Sequence, residues 1–277
     1  MVDSKVAKPF TIDIPNERLD LLKQKLNLAT FPDTILTNAN DWSHGPPLPV
    51  MRHLVEYWRN GFDWKAAEAR LNLLPQYIIP IDIDGFDPLN VHYLHVNKGA
   101  KNAIPLLMVH GWPGSFFEFT KIFGPLTNGD GDEPTFEIVV PSLIEYVVQG
   151  GDWGMIIAHI MANTYYPEHV KAVHTNNSDK CDPPSFFENP VFWLQNQLRR
   201  PYTAAERAGI DRTQKFMSEG YGYNLMHKHR PQTVGYSIMD SPIGLLGWIV
   251  DKLQDWTDKY TFMHAFWYFV RFDGLIY

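Results

Sequence analysis

Ile104-Pro105-Leu106-Leu107-Met108-Val109 runs straight into His110-Gly111-Trp112-Pro113-Gly114-Ser115, and the reading of this stretch decides the fold. Apolar residues without polar alternation suit a strand buried on both faces, the kind found inside a parallel sheet. The glycines and proline that follow make a rigid turn able to aim backbone N–H groups into a cleft, as half of an oxyanion hole does. A plain strand-to-helix turn suits the same residues. Further on, Gly150-Gly151-Asp152-Trp153-Gly154 follows the strand-like Tyr146–Gln149. Glycines flank this aspartate as they flank the nucleophile of a strand–turn–helix elbow, where the tight turn has no room for a neighbouring Cβ. A carboxylate there is ionised at neutral pH and can attack an electrophilic carbon to form an ester. An aspartate that caps a helix beginning near Met155 fits equally well. No Gly-x-Ser-x-Gly occurs in the chain, which disfavours a serine esterase.

Working outward, Pro15 opens a stretch in which Leu19, Leu22 and Leu26 recur at helical spacing. A second helix carries Met51, Leu54, Val55 and Trp58 on one face and stops at Gly61; Asp63 is placed to cap a third, through Ala67 to Leu71. Tyr77–Ile83 and Leu89–Val96 read as a strand pair around Asp84-Gly85. Phe136–Val140, Tyr146–Val148 and Val170–His174 are further strands, and Met155–Ala162 a buried helix. Asn189 to Trp256 reads as mostly helical, broken at Pro201, Pro231 and Pro242. Strands alternating with a helix predict an α/β fold with a parallel sheet, whose ligands bind beyond the carboxyl ends of the strands.

The 277 residues are 45% hydrophobic and 14% aromatic, which supplies a packed core and excludes disorder as the main theme. Basic residues number 24 against 31 acidic, a formal net charge of −7, and no basic cluster exceeds Arg199-Arg200. Nucleic acid is therefore not an expected partner. Cys181 is the one cysteine, which leaves no internal disulfide and no cysteine-built zinc site. His92 and His95, three apart on a strand, point to opposite faces and make a poor metal pair. No metal and no organic cofactor is expected. No apolar run follows the N-terminal charges, and none is long enough to span a bilayer. A cytoplasmic, soluble protein is the expectation.

Together the two turn motifs resemble the α/β-hydrolase superfamily and, more narrowly, the epoxide hydrolases of the microsomal and juvenile-hormone type. The resemblance also takes in the N-terminal stretch from Pro9-Phe10 through Trp42, Trp58 and Trp64. It continues through Met217-Ser-Glu-Gly-Tyr-Gly-Tyr-Asn224 and Pro231-Gln-Thr-Val-Gly235 to Asp240-Ser-Pro-Ile-Gly-Leu245. It implies an α/β-hydrolase core, incomplete here, with an N-terminal helical meander and a helical cap. The corresponding regions are 1–100 for the meander and first strands, 101–188 for the core, 189–259 for the cap, and 260–277 as an unmatched tail. Carried over by residue, it implies Asp152 as nucleophile, with the N–H groups of Trp112 and Trp153 holding the oxygen that becomes the oxyanion. Tyr223, eight residues before Pro231, would donate a hydrogen bond to the epoxide oxygen; Tyr221 is the neighbouring candidate. The implied reaction opens a lipophilic epoxide to a vicinal diol through an aspartyl ester, with water as co-substrate. Asp-Trp at the elbow also suits a haloalkane dehalogenase, and a catalytically dead relative that binds a lipophilic ligand is the reading from a different class. A homodimer is the one oligomer carried forward.

Two departures from the family pattern matter. Phe136–Val140 ends in Pro141-Ser142-Leu143, and the next strand begins three residues later, where the family has a glycine-rich loop and a helix. Adjacent parallel strands need a crossover of a dozen or more residues, so an antiparallel strand or a broken sheet is expected there. The family also supplies a catalytic histidine and an acidic partner after its cap, and no residue in a matching context follows Lys259. His264 and Asp273 stand in none. The expectation is a shortened member whose turnover is impaired or absent.

Overall fold

The computed structural model describes residues 6–33, 41–82, 84–99, 101–128, 134–140, 147–165, 168, 170–175, 185–198 and 203–256. Readings that fall on Ile83, Pro141–Tyr146, Cys181, Pro201, His264 and Asp273 lie outside these residues. In chain order the elements begin with β1 (Lys8–Pro9), α1 (Asn16–Leu28), α2 (Leu48–Asn60), α3 (Trp64–Leu71), β2 (Gln76–Ile81), β3 (Leu89–Val96) and β4 (Ile104–Val109). A 3₁₀ turn (Phe116–Phe119) leads into α4 (Thr120–Thr127), β5 (Phe136–Val140), β6 (Val147–Gly150), α5 (Trp153–Tyr165) and β7 (Val173–Thr175). The remainder is helical: α6 (Pro190–Leu198), α7 (Ala204–Lys215), a π-helical turn (Phe216–Gly220), α8 (Gly222–His229), α9 (Pro231–Asp240) and α10 (Pro242–Trp256).

The local reasons are those the sequence carries. Asp63 caps α3 by accepting the Ala66 N–H, and Gly61 ends α2. Pro231 and Pro242 open α9 and α10, since a first-turn residue needs no N–H for the helix ladder. Thr203 and Glu206 form a reciprocal capping box at α7.

The seven strands lie in the order β1-β2-β3-β5-β4-β6-β7. β1, β2, β3 and β5 pair antiparallel in turn, whereas β4 pairs parallel with both β5 and β6, and β6 parallel with β7. β4 is the hub. Leu106 and Met108 point to one face, against Leu94, Ile138, Val140 and Phe123 of α4. Leu107 and Val109 point to the other, against Ala158 and Met161 of α5 and against Val170. A strand sandwiched between two helices buries both side-chain rows, which is why its sequence does not alternate.

The expectation of an antiparallel strand or a broken sheet after Leu143 is overturned. β6 pairs parallel with β4 from Leu106↔Val147 to Val109↔Gly150. β5 and β6 are not neighbours: β4 stands between them and pairs parallel with both. This register brings the carboxyl ends of β4 and β6 level, so both turn motifs leave the sheet at one height.

The chain divides into two compact units, one of Phe62–Ser178 with the N-terminal residues to Asn16, the other of Glu17–Gly61 with Asp179–Lys259. The first holds the sheet. Its N-terminal segment is fastened by Asn72, whose amide accepts the Ile12 N–H and donates to the Ile12 carbonyl, both at 2.8 Å. Beside it the Glu68 carboxylate accepts from Ile14 N–H (2.8 Å), Trp64 Nε1 (2.9 Å) and Lys65 Nζ (2.7 Å). The second unit packs α1, α2 and the helices from α6 onward, with Leu26, Leu54, Val55 and Val250 fully buried. Lys25 Nζ joins α1 to the end of α9 through the Asp240 carboxylate at 2.6 Å. No helix among the described residues is long and apolar enough to cross a membrane.

Leu107 is fully buried between sheet and α5. Leu107→Ala is expected to cost about 2–5 kcal/mol in urea unfolding. Hydrogen bonds from Lys65, then Ile14 and Trp64, hold the Glu68 carboxyl below the usual glutamate range. Its stabilising effect is therefore present above that range and lost as pH falls through the depressed folded value. The difference in melting temperature between wild type and Glu68→Gln should be largest near neutral pH and shrink on acidification.

Candidate active site

β4 and β6 end side by side, and each gives way to a glycine-bearing turn. In the second, Asp152 adopts φ +52°, a left-handed conformation that costs a side-chain-bearing residue about 1–2 kcal/mol. α5 begins at the next residue, with Gly154 N–H on the Gly151 carbonyl (2.8 Å) and Met155 N–H on the Asp152 carbonyl (3.1 Å). The side chain of Asp152 does not turn back to cap this helix. Its Oδ1 accepts the Trp112 N–H of the first turn at 3.0 Å. The carboxylate thus faces the first turn and not the start of α5.

The glycines make this approach possible. A Cβ on Gly154 would stand 2.2 Å from the Val109 carbonyl oxygen, so α5 could not start against the end of β4. A Cβ on Gly150 would lie 2.2 Å from the Gly154 carbonyl oxygen, and one on Gly111 would lie 2.5 Å from the Asp152 Cβ. Any larger residue would open the elbow or push the carboxylate off the first turn.

That first turn has a cis Trp112–Pro113 peptide. His110 Nδ1 lies 3.0 Å from the Gly111 carbonyl, and Ser115 Oγ caps the 3₁₀ turn by accepting the Phe117 N–H at 3.3 Å. Glu118 joins the residues that the sequence motifs single out. Its carboxylate folds back over Gly114, with Oε1 in the place a Gly114 Cβ would take. Partial removal from water pushes its pKa up, with the negative charge of Asp152 acting the same way; His110 and the Ser115 N–H pull it down. Ser115-Phe116-Phe117-Glu118 has the spacing of a capping box, which is the signal for it in the sequence.

The structure thus brings Trp112 and Asp152 into hydrogen-bond contact. Trp153 follows directly in the chain and is 57% exposed, and its N–H makes no bond to Asp152. Tyr223 belongs to the second unit. There its ring meets Trp256 (5.0 Å between centroids), His227 (5.8 Å) and Tyr221 (6.3 Å), with Lys252 Nζ 5.1 Å from its centre. His92 sits beside Gln76 and between the rings of Phe10 and Phe116, whereas His95 pairs with Glu137 at 2.6 Å. Among the described residues no three acidic, histidine or cysteine side chains cluster as metal ligands would.

Known proteins resemble this chain in sequence and fold. The sequence pattern of the epoxide hydrolase N terminus matches residues 7–119. An enantioselective mutant of the epoxide hydrolase from Aspergillus niger has 30% identity to this chain, covers 96% of it and is itself covered to 76%, with a TM-score of 0.75. The chain belongs to the epoxide hydrolase family. Its fold is accordingly that of the α/β-hydrolases. Within the family, it is 30% identical to juvenile hormone epoxide hydrolase 1 of Ctenocephalides felis over 296 residues, which take in 91% of this chain. It is also 30% identical to epoxide hydrolase 1 of Sus scrofa, over 93% of this chain. The chain spans 61% of the length of the first of these relatives and 64% of the second.

Gly154→Ala is expected to destabilise by about 1–3 kcal/mol through overpacking against β4. Gly235→Ala, in α9 with no atom within 4 Å of the added methyl, should be stabilising by about 0.5–1 kcal/mol. Chemical denaturation of the two variants checks both.

Proposed function

We propose that this chain opens lipophilic epoxides by carboxylate attack. The observation that carries the reading is Asp152 itself: an acid held in a left-handed turn at the end of the sheet, its Oδ1 anchored by the Trp112 N–H. In this reading Oδ2 attacks an epoxide carbon, the ring C–O bond breaks, and the oxygen leaves with a proton donated by the Tyr223 phenol. The product is a hydroxyalkyl ester of Asp152. Water then attacks the ester carbonyl, whose oxygen draws charge toward the Trp112 and Trp153 N–H groups, and the diol departs. Trp153, next to Asp152 in the chain and exposed, supports an apolar substrate. Nothing in this chemistry calls on a cofactor.

The two steps make unequal demands. Alkylation needs the carboxylate and an acid, and this chain has a candidate for each. Ester hydrolysis needs a base to activate water, and in these 277 residues no histidine stands in the family's sequence context for that role. A missing general base costs about 10²–10⁴-fold, so the ester should outlast its formation.

The test is incubation of the 277-residue chain with a reactive aryl epoxide, followed by intact-mass and peptide mass spectrometry. The expected result is one adduct per chain, located on Asp152, with little diol; Asp152→Ala should abolish the adduct. An adduct elsewhere, or none, overturns the nucleophile. Sustained diol production would overturn the inference of an impaired second step.

A further inference from the structure

Two carboxylates, not one, close onto the His110–Ser115 turn. Asp152 occupies the space over Gly111 and takes the Trp112 N–H. Glu118 occupies the space over Gly114, and its carboxylate interacts with the Ser115 N–H. The turn is therefore pinned at both ends, with the Trp112 amide between the pins. We propose that Glu118 is a positioning residue, holding this turn so that the Trp112 N–H stays directed at Asp152.

Helix capping alone would not predict this. A capping glutamate needs only the N–H at the head of its helix, and the helix would be equally served by a carboxylate standing clear of Gly114. Instead Oε1 fills the place of a Gly114 Cβ, so the turn and the acid fit only because position 114 lacks a side chain. The carboxylate is also close enough for the charges of both His110 and Asp152 to act on it, and those residues come from the ends of β4 and β6. Partial burial, with the charge of Asp152 adding to it, raises the affinity of Glu118 for its proton. A geometry error of about an ångström at a reacting group can cost 10²-fold, so the position of this amide is worth controlling.

The catalytic side of this inference rests on Asp152 as nucleophile; the structural side does not. The test therefore reads both. The Trp112 backbone amide is followed by ¹H–¹⁵N NMR in wild type, Glu118→Gln, Glu118→Ala and Gly114→Ala, and the rate of Asp152 adduct formation with an aryl epoxide is measured in the same four proteins. Glu118→Gln keeps a neutral acceptor and should leave the amide shift near wild type and the rate within about threefold. Glu118→Ala and Gly114→Ala remove the pin in different ways. Both should move the Trp112 resonance toward its position in Asp152→Asn and slow the adduct by about tenfold or more. A Glu118→Ala protein with a lowered melting temperature but an unmoved Trp112 resonance would reduce Glu118 to a helix cap and overturn the proposal. Should Glu118→Ala not fold, Gly114→Ala decides by the same criterion. Should wild type form no adduct, the nucleophile reading fails, and the Trp112 resonance alone decides for or against Glu118.

Discussion

Gly154 against the Val109 carbonyl is the contact on which the site depends. Parallel strands deliver their carboxyl ends to a common edge, but the helix that follows β6 must then start within atomic contact of β4. Only a residue without Cβ permits this, and Gly150 is held to the same condition by the carbonyl of Gly154 itself. The closeness is what leaves Asp152 no ordinary conformation. Its positive φ is the geometric remainder of a strand and a helix brought nearer than their backbones would otherwise allow, and the Trp112 N–H across the gap takes up the carboxylate so displayed. Strain at such a point persists only where the surroundings fix it. Here they do so from two strands and one helix at once.

Much of this is legible in the residues because it is local. The unalternating run of β4, the cap at Asp63, the prolines that open α9 and α10 and the glycines around Asp152 each act within a turn or two of chain. The choice between an elbow and a helix cap at Asp152 is not local. It turns on whether the side chain reaches its own helix or a turn from another strand, and sequence spacing is silent on that. The place of β6 departs from expectation for a related reason. Adjacency in the sequence of β5 and β6 does not make them neighbours in a sheet where β4 lies between them. Val170 shows the same limit on a smaller scale. It is buried against β4 and α5, but it precedes the paired residues of β7, so burial and strand pairing part company there.

Side-chain economy links the rest of the first unit to this edge. Asn72 serves Ile12 with both ends of its amide, and Glu68 satisfies a backbone N–H, an indole and an ammonium with one carboxylate. Such groups do little for raw stability compared with the apolar layers on either face of β4, but they are directional, and they fix where the N-terminal segment runs over the sheet.

The π-helical turn Phe216–Gly220 bears on how Tyr223 is aimed. A π turn carries one residue more than an α turn, and each residue of a helix advances the direction of its side chain by roughly 100°. The extra residue therefore sets the rotational phase of everything in α8. Removing it would leave Tyr223 in its place in the order of the chain and swing its phenol about a quarter of the way round the axis, away from Trp256 and Lys252. The direction of that hydroxyl is stored, in effect, as a count of residues upstream.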